Sequence, residues 1–163
     1  MAVLHPDGTI GVYSTTGKQL SNVTPADRAE QAALSGRNLV VLEPHGRLAV
    51  YDSRTGSLRQ TITLHGDPDQ LLGRALAVHG NIAVYSTPAG FSKNTAGESV
   101  VSRSAIRAVN ITSGKDRPVG TLPGQIMLAR IDSFGLAYTN MGNGWGPNQL
   151  VVLPFKQVAA AVG

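Results

Sequence analysis

The chain of 163 residues is 42% hydrophobic and only 15% charged, with 19 Gly, 9 Pro and no Cys. Enough Leu, Ile and Val is present to offset ordering entropy, which excludes a disordered chain, and the density of turn residues excludes a helical bundle. The net charge is +4, but the basic residues stand singly from Lys18 to Lys156, so no run neutralises consecutive phosphates and nucleic-acid binding is not expected.

Apolar runs fall well short of the roughly 18 residues that a membrane span needs, and His5-Pro6-Asp7-Gly8 interrupts any signal-like stretch after Met1. The missing cysteines remove disulfides, thiolate metal sites and cysteine nucleophiles together.

In chain order the pattern predicts short strands at Ala2 to Leu4, Thr9 to Ser14 and Gln19 to Thr24. A single helical turn is expected near Thr24-Pro25-Ala26-Asp27, with Thr24 as cap and Pro25 as first helical residue. Strands follow at 31–34, 38–43, 47–53 and 58–64, then at 71–78, 81–87, 106–112 and 118–122. The last set is 126–131, 136–140 and 149–154, and 156–163 offers no convincing further strand. Alternation of β-branched or aromatic residues with small or polar ones suits a pleated surface throughout.

Two ladders of repeats organise these strands. Gly8-Thr-Ile-Gly-Val-Tyr-Ser-Thr-Thr-Gly17, Gly46-Arg-Leu-Ala-Val-Tyr-Asp-Ser-Arg-Thr-Gly56 and Ile106-Arg-Ala-Val-Asn-Ile-Thr-Ser-Gly114 each run a strand into a turn closed by Gly. A second ladder opens on Gly36, Gly80 and Gly135, each followed by a short apolar strand. The step from Gly17 to Gly56 is 39 residues and that from Gly56 to Gly114 is 58, so one period carries an insertion. Approximate units are 1–25, 26–66, 67–124 and 125–163.

Four short antiparallel strands per unit resemble the blades of the β-propeller superfamily, which includes WD40, PQQ-like and YVTN-type repeats. The segment Val50-Tyr51-Asp52-Ser53-Arg54-Thr55-Gly56 carries the resemblance most clearly. No strand ends in Trp-Asp and no Trp follows the Thr-Gly turn, so the likeness is to the superfamily and to no one branch. It implies an all-β fold of about three and a half to four blades, a partial propeller. The expected role is a non-catalytic scaffold for protein recognition, either the C-terminal half of a larger propeller or a half that pairs with another copy of itself. The alternative is a piece of a propeller enzyme, or of a quinone- or sugar-binding propeller, whose site lies mostly elsewhere. The same resemblance favours the cell envelope or a secreted location.

Few residues suggest chemistry. His45, His65 and His79 stand beside turns of different kinds, which argues against a shared metal with or without His5. Asp67 and Asp69 offer two carboxylates, too few for a calcium loop and sufficient for a turn around Pro68. Ser86, Ser99, Ser102 and Ser104 lie in no Gly-x-Ser-x-Gly elbow, and neither Asp52 nor Asp132 can be paired from sequence. No catalytic residue, metal site or cofactor is assigned. The sequon at Asn110 falls in a predicted strand, and that at Asn22 is short enough to arise by chance.

Two connections stand out for partner binding. The insertion Ala89 to Ser104 is expected as a long loop, and Asn140 to Asn148 as its counterpart in the next unit. Corresponding loops would bring Phe91, Lys93, Arg103, Asn143 and Trp145 into one patch, with Trp145 as a partner anchor or a sugar-stacking platform, or else folded back over the edge of its own unit.

Overall fold

The computed structural model of the chain describes residues 1–65, 75–141 and 149–163. Among them are fourteen strands and one helix. The first sheet has the order β1-β2-β3, from β1 (Ala2–Leu4), β2 (Ile10–Tyr13) and β3 (Gln19–Val23). The second is β4-β5-β6-β7, from β4 (Gln31–Ser35), β5 (Asn38–Glu43), β6 (Arg47–Asp52) and β7 (Leu58–Thr63). The third, β11-β10-β9-β8, contains β8 (Leu76–His79), β9 (Ile82–Lys93), β10 (Ser99–Asn110) and β11 (Asp116–Pro123). The fourth, β12-β13-β14, contains β12 (Gln125–Ile131), β13 (Gly135–Met141) and β14 (Gln149–Pro154). The helix α1 (Phe155–Val162) follows. The registered strand pairs are all antiparallel.

By its contacts the chain divides into two compact units, Met1–Asp69 with Val78–Asn81, and Gln70–Ala77 with Ile82–Gly163. In the first unit β5 and β6 are central strands covered on both faces, which is why they read as near-continuous apolar runs. Their register sets Leu39 opposite Tyr51 and Val41 opposite Ala49 on one face, and Val40 opposite Val50 and Leu42 opposite Leu48 on the other. The former face joins Ile10, Val12, Val23 and Ala29 in a single core. Each fully buried Leu, Ile or Val there contributes on the order of 1.5–3 kcal/mol. The two sheets of this unit also meet through polar atoms, for Ser21 Oγ donates to the Ser53 carbonyl at 2.8 Å.

The repeated turns have one chemistry. Asp52 Oδ1 accepts from the Arg54 and Thr55 amides at 2.9 and 3.3 Å, and Asn110 Oδ1 from the Thr112 and Ser113 amides at 3.0 and 3.2 Å. A side-chain oxygen thus satisfies the backbone donors that a tight turn would strand, and the closing glycine takes positive φ. At Gly56 the fit is doubly demanding: φ is +74° and an added Cβ would lie 2.9 Å from the Asn22 carbonyl of β3. The turn at 52–57 can lie flat on β3 only without a side chain there.

In the second unit the core gathers Ala77, Val84, Ile106 and Ala108 of the third sheet, Ile126, Leu136 and Tyr138 of the fourth, and Val158 and Val162 of α1. The last two are four residues apart and therefore share a helix face. Lys115 Nζ donates to the carbonyl of Gly163, tying the helix end to the third sheet.

Three expectations need correction. The propeller reading, with its blades and its half-ring, is not supported: the sheets are open assemblies of three or four strands, and none closes or curls as a propeller requires. Short alternating strands with Gly turns specify antiparallel sheets, but that pattern does not by itself fix how a sheet curls. The propeller-based functions fall with it, both the recognition segment and the enzyme, quinone- or sugar-binding alternatives. What stands is an all-β chain of several small antiparallel sheets. The stretch 156–163 supplies no further strand, as expected, and Phe155–Val162 is helical, as three alanines between Val158 and Val162 permit. Secondly, 24–30 forms no helical turn and instead carries Ala29 into the first core. Thirdly, 89–104 is not a loop.

Candidate functional site

That last segment is the clearest candidate for function. Instead of looping, β9 and β10 continue as a ribbon of twelve residues each. Its base lies within the sheet: Ser86 N donates to the Ala75 carbonyl beside β8, and β11 pairs with β10 as far as Arg103 opposite Pro123. Beyond this, Ser99 pairs with Lys93, Val100 with Ser92 and Val101 with Phe91. The ribbon's tip is another side-chain-capped turn, in which Asn94 Oδ1 accepts from the Ala96 and Glu98 amides at 3.0 and 2.8 Å.

The hydrogen-bond phase defines what the edge of β9 offers. Asn94 N donates to the Glu98 carbonyl, so even-numbered residues near the tip bond across the ribbon. The N–H and C=O groups of Phe91 and Lys93 therefore point outward, away from β10. Among the described residues no strand pairs with β9 on that side past β8. Pro88 sits at the same edge in the phase of Ser86, so its missing N–H costs no bond to β10.

Register irregularities between Val101 and Ser104 decide where side chains go. Phe91 and Lys93 share one face, with Val101 directly opposite Phe91 and buried beside it. Phe91 itself remains 48% exposed. Arg103 crosses over Gly90, where a Cβ would be 3.5 Å from its Nε and 3.3 Å from Ser102 Oγ. Since Gly90 and Phe91 are consecutive strand residues, Arg103 lies on the opposite face from Phe91. The structure thus brings together Phe91 and Lys93 and separates Arg103 from them. Asn143 and Trp145 lie outside the described residues, as do Asp67 and Asp69.

The other candidates have structural partners. Ser86 Oγ accepts from the Ala75 amide at 2.9 Å, and Ser104 Oγ donates to the Gly124 carbonyl at 2.8 Å, both buried. His45 occupies the left-handed turn between β5 and β6, His65 follows β7 and His79 ends β8. Among the described residues no group of three or more His, Asp or Glu could hold a metal ion. Asp132 caps the turn before β13, accepting from the Phe134 and Gly135 amides at 2.9 and 3.2 Å.

Two charged clusters escaped the sequence. In one, Asp52 Oδ2 accepts from Arg37 Nη2 at 2.7 Å and from Arg59. The turn amide of Arg54 and these two guanidiniums hold its carboxyl well below the usual carboxylate range. In the other, Tyr85 Oη donates to Asp116 Oδ2 at 2.6 Å and Arg107 Nε to Asp116 Oδ1 at 3.0 Å, in the interior of the third sheet. Burial, then the Asp116 carboxylate, push the Tyr85 hydroxyl far above its ordinary value. Strand pairing alone would have found this cluster: Tyr85 stands opposite Arg107, and Asp116 is diagonal to Arg107 across β10 and β11. Each cluster ties together neighbouring strands of its own sheet.

No family model matches the chain, and no curated protein matches it. Among solved structures it is similar to the computationally designed protein Ika4, at 17% identity and a TM-score of 0.59, over 93% of this chain and 84% of that one. It is also similar to the WD40 domain of Pan2 from Neurospora crassa, at 11% identity and a TM-score of 0.53, over 94% of this chain and 49% of that one. A third likeness is to the designed protein Ika8, at 15% identity and a TM-score of 0.52, over 93% and 55%. The chain spans about half the length of the latter two. At these identities the likeness concerns the succession of small antiparallel sheets and nothing finer. Among the described residues no helix is long and apolar enough to cross a membrane.

Proposed function

We propose that this chain is a β-sheet binding module that takes up an extended, acidic segment of a protein partner along the edge of β9. The observation that carries this reading is the open edge at Phe91 and Lys93, where outward backbone groups, an exposed aromatic and a cation coincide. Added strands draw affinity from main-chain bonds and specificity from alternate side chains. Phe91 would anchor one apolar residue of the incoming strand, and Lys93 would pair with a carboxylate two residues along. Pro88 limits the site at its base, because a strand extending past it would meet no donor. The chain's net charge of +4 favours approach of an acidic segment over a basic one.

Fluorescent peptides of alternating apolar and acidic residues test the reading against sequence-matched peptides with Lys in place of the acids. Binding of the acidic set should weaken about tenfold or more in Phe91→Ala and in Lys93→Glu, since an aromatic anchor and a charge contact are each of that order. Bound peptide should also slow hydrogen exchange at the Phe91 and Lys93 amides. Equal binding of both peptide sets, or unchanged exchange at these amides, would overturn it.

A further inference from the structure

A second open edge lies on the fourth sheet and is independent of the ribbon. There β14 is the outer strand, and among the described residues nothing pairs with it on the far side from β13. Its register sets Leu136 opposite Leu153, Ala137 opposite Val152, Tyr138 opposite Val151 and Thr139 opposite Leu150. Phe155 N donates to the Phe134 carbonyl, which extends the same register and fixes its phase: odd-numbered residues of β14 bond to β13. The backbone groups of Leu150, Val152 and Pro154 accordingly face the open edge, and Pro154 has a carbonyl but no N–H there.

The side chains divide the same way. Val151 and Leu153 share the face of buried Tyr138 and Leu136 and pack against the core. Leu150 and Val152 point to the other face and are 71% and 61% exposed. A strand of sequence Gln-Leu-Val-Val-Leu-Pro contains no charged residue, and its edge is neither bulged nor covered by another strand of the described chain. Native edges that avoid pairing normally carry lysine, an inward charge, a proline or a bulge. This one has no charge and no bulge, and its single proline, Pro154, stands at its end.

We infer that β14 pairs antiparallel with β14 of a second copy of this chain, across a two-fold axis at Val151. The absence of Pro154 N–H selects the register. With Leu150 of one copy opposite Val152 of the other, and the reverse, all four of those residues donate and accept, and no bond calls on Pro154. Centring the pair on Val152 instead would set Leu150 opposite Pro154 and lose donors on both sides. In the chosen register Leu150 and Val152 of both copies form one continuous apolar strip on the exposed face. A second copy is favoured over an acidic or basic segment because an uncharged strand meets its own copy without repulsion and offers a charged partner no counter-ion. Two β-sheets of three strands then become one of six.

The test is sedimentation of the whole chain over a concentration series, with circular dichroism confirming that each variant keeps its strands. Wild type should show a monomer–dimer equilibrium, and the Leu150 and Val152 amides should exchange more slowly as concentration rises. In Leu150→Lys/Val152→Lys like charges stand directly opposite across the axis, and the dissociation constant should rise about a hundredfold or more. In Leu150→Lys/Val152→Glu each Lys faces a Glu of the other copy, and the dimer should return. A wild type that is monomeric at every concentration, a double-lysine variant that still dimerises, or a Lys/Glu variant that does not would each overturn the inference. None of these results bears on peptide binding at β9.

Discussion

Asp116→Ala tests how the third sheet is held together. The substitution removes the acceptor of two bonds at once, from Tyr85 Oη at 2.6 Å and Arg107 Nε at 3.0 Å. Breaking a buried ion pair from one side costs about 3–5 kcal/mol, most of it the desolvation of what remains. Arg107 keeps 18% of its side chain exposed and can recover some hydration, so the expected loss sits at the lower end, about 3 kcal/mol. Tyr85→Phe leaves the Asp116 to Arg107 bond in place and should cost about 1 kcal/mol. Together the two should cost less than their sum, with a coupling of about 1 kcal/mol, because each single variant already breaks the same Tyr85 to Asp116 bond. The assay is urea unfolding with hydrogen exchange at Tyr85 and Val84, so that loss in this unit is not averaged with the other. An alkaline arm adds a sign. Tyr85 titrates far above its ordinary value in the folded chain, so it favours the fold below pH ~10 and that contribution disappears as pH climbs past the unfolded value. Wild type should lose stability there more steeply than Tyr85→Phe. A cost below about 1 kcal/mol for Asp116→Ala, additive variants, or parallel alkaline curves would refute the reasoning.

Three further outcomes follow from the same physics. Gly56→Ala should destabilise the first unit by about 2 kcal/mol or more in thermal unfolding, while Gly17→Ala, with positive φ but nothing within 4 Å of its Cβ, should cost only the conformational share, about 1 kcal/mol. Tyr138→Phe should leave stability unchanged or raise it, because the Tyr138 hydroxyl is buried with no hydrogen-bond partner among the described residues; a loss above about 1 kcal/mol by chemical denaturation would contradict this. Asp52→Asn should lower the melting temperature at neutral pH. Because the Asp52 carboxyl titrates below its ordinary range when folded, its contribution is present above pH ~4 and is lost as pH falls further. The gap between variant and wild type should therefore narrow in acid, and a gap that is constant with pH would refute the assignment.

The sequence by itself determined the strands. The short apolar runs of Arg47–Asp52 and Gln149–Pro154 and the Gly-closed turns at Gly56 and Gly114 place these elements, because a bounded apolar run and turn chemistry are local properties. Phe91, Lys93 and Arg103 were visible as residues of an insertion. That they lie on a ribbon rather than a loop depends on cross-strand bonds from Ser99 to Val101, whose Ser, Val and Val carry no turn signal that would have ended a strand. Their division between two faces rests on an irregularity beside Gly90, and a one-residue shift reverses every side chain beyond it. The curl of the sheets and the openness, among the described residues, of the β9 and β14 edges are likewise decisions of the tertiary structure. They depend on which distant strand arrives, or does not, at a given edge, and a local pattern contains no record of that encounter.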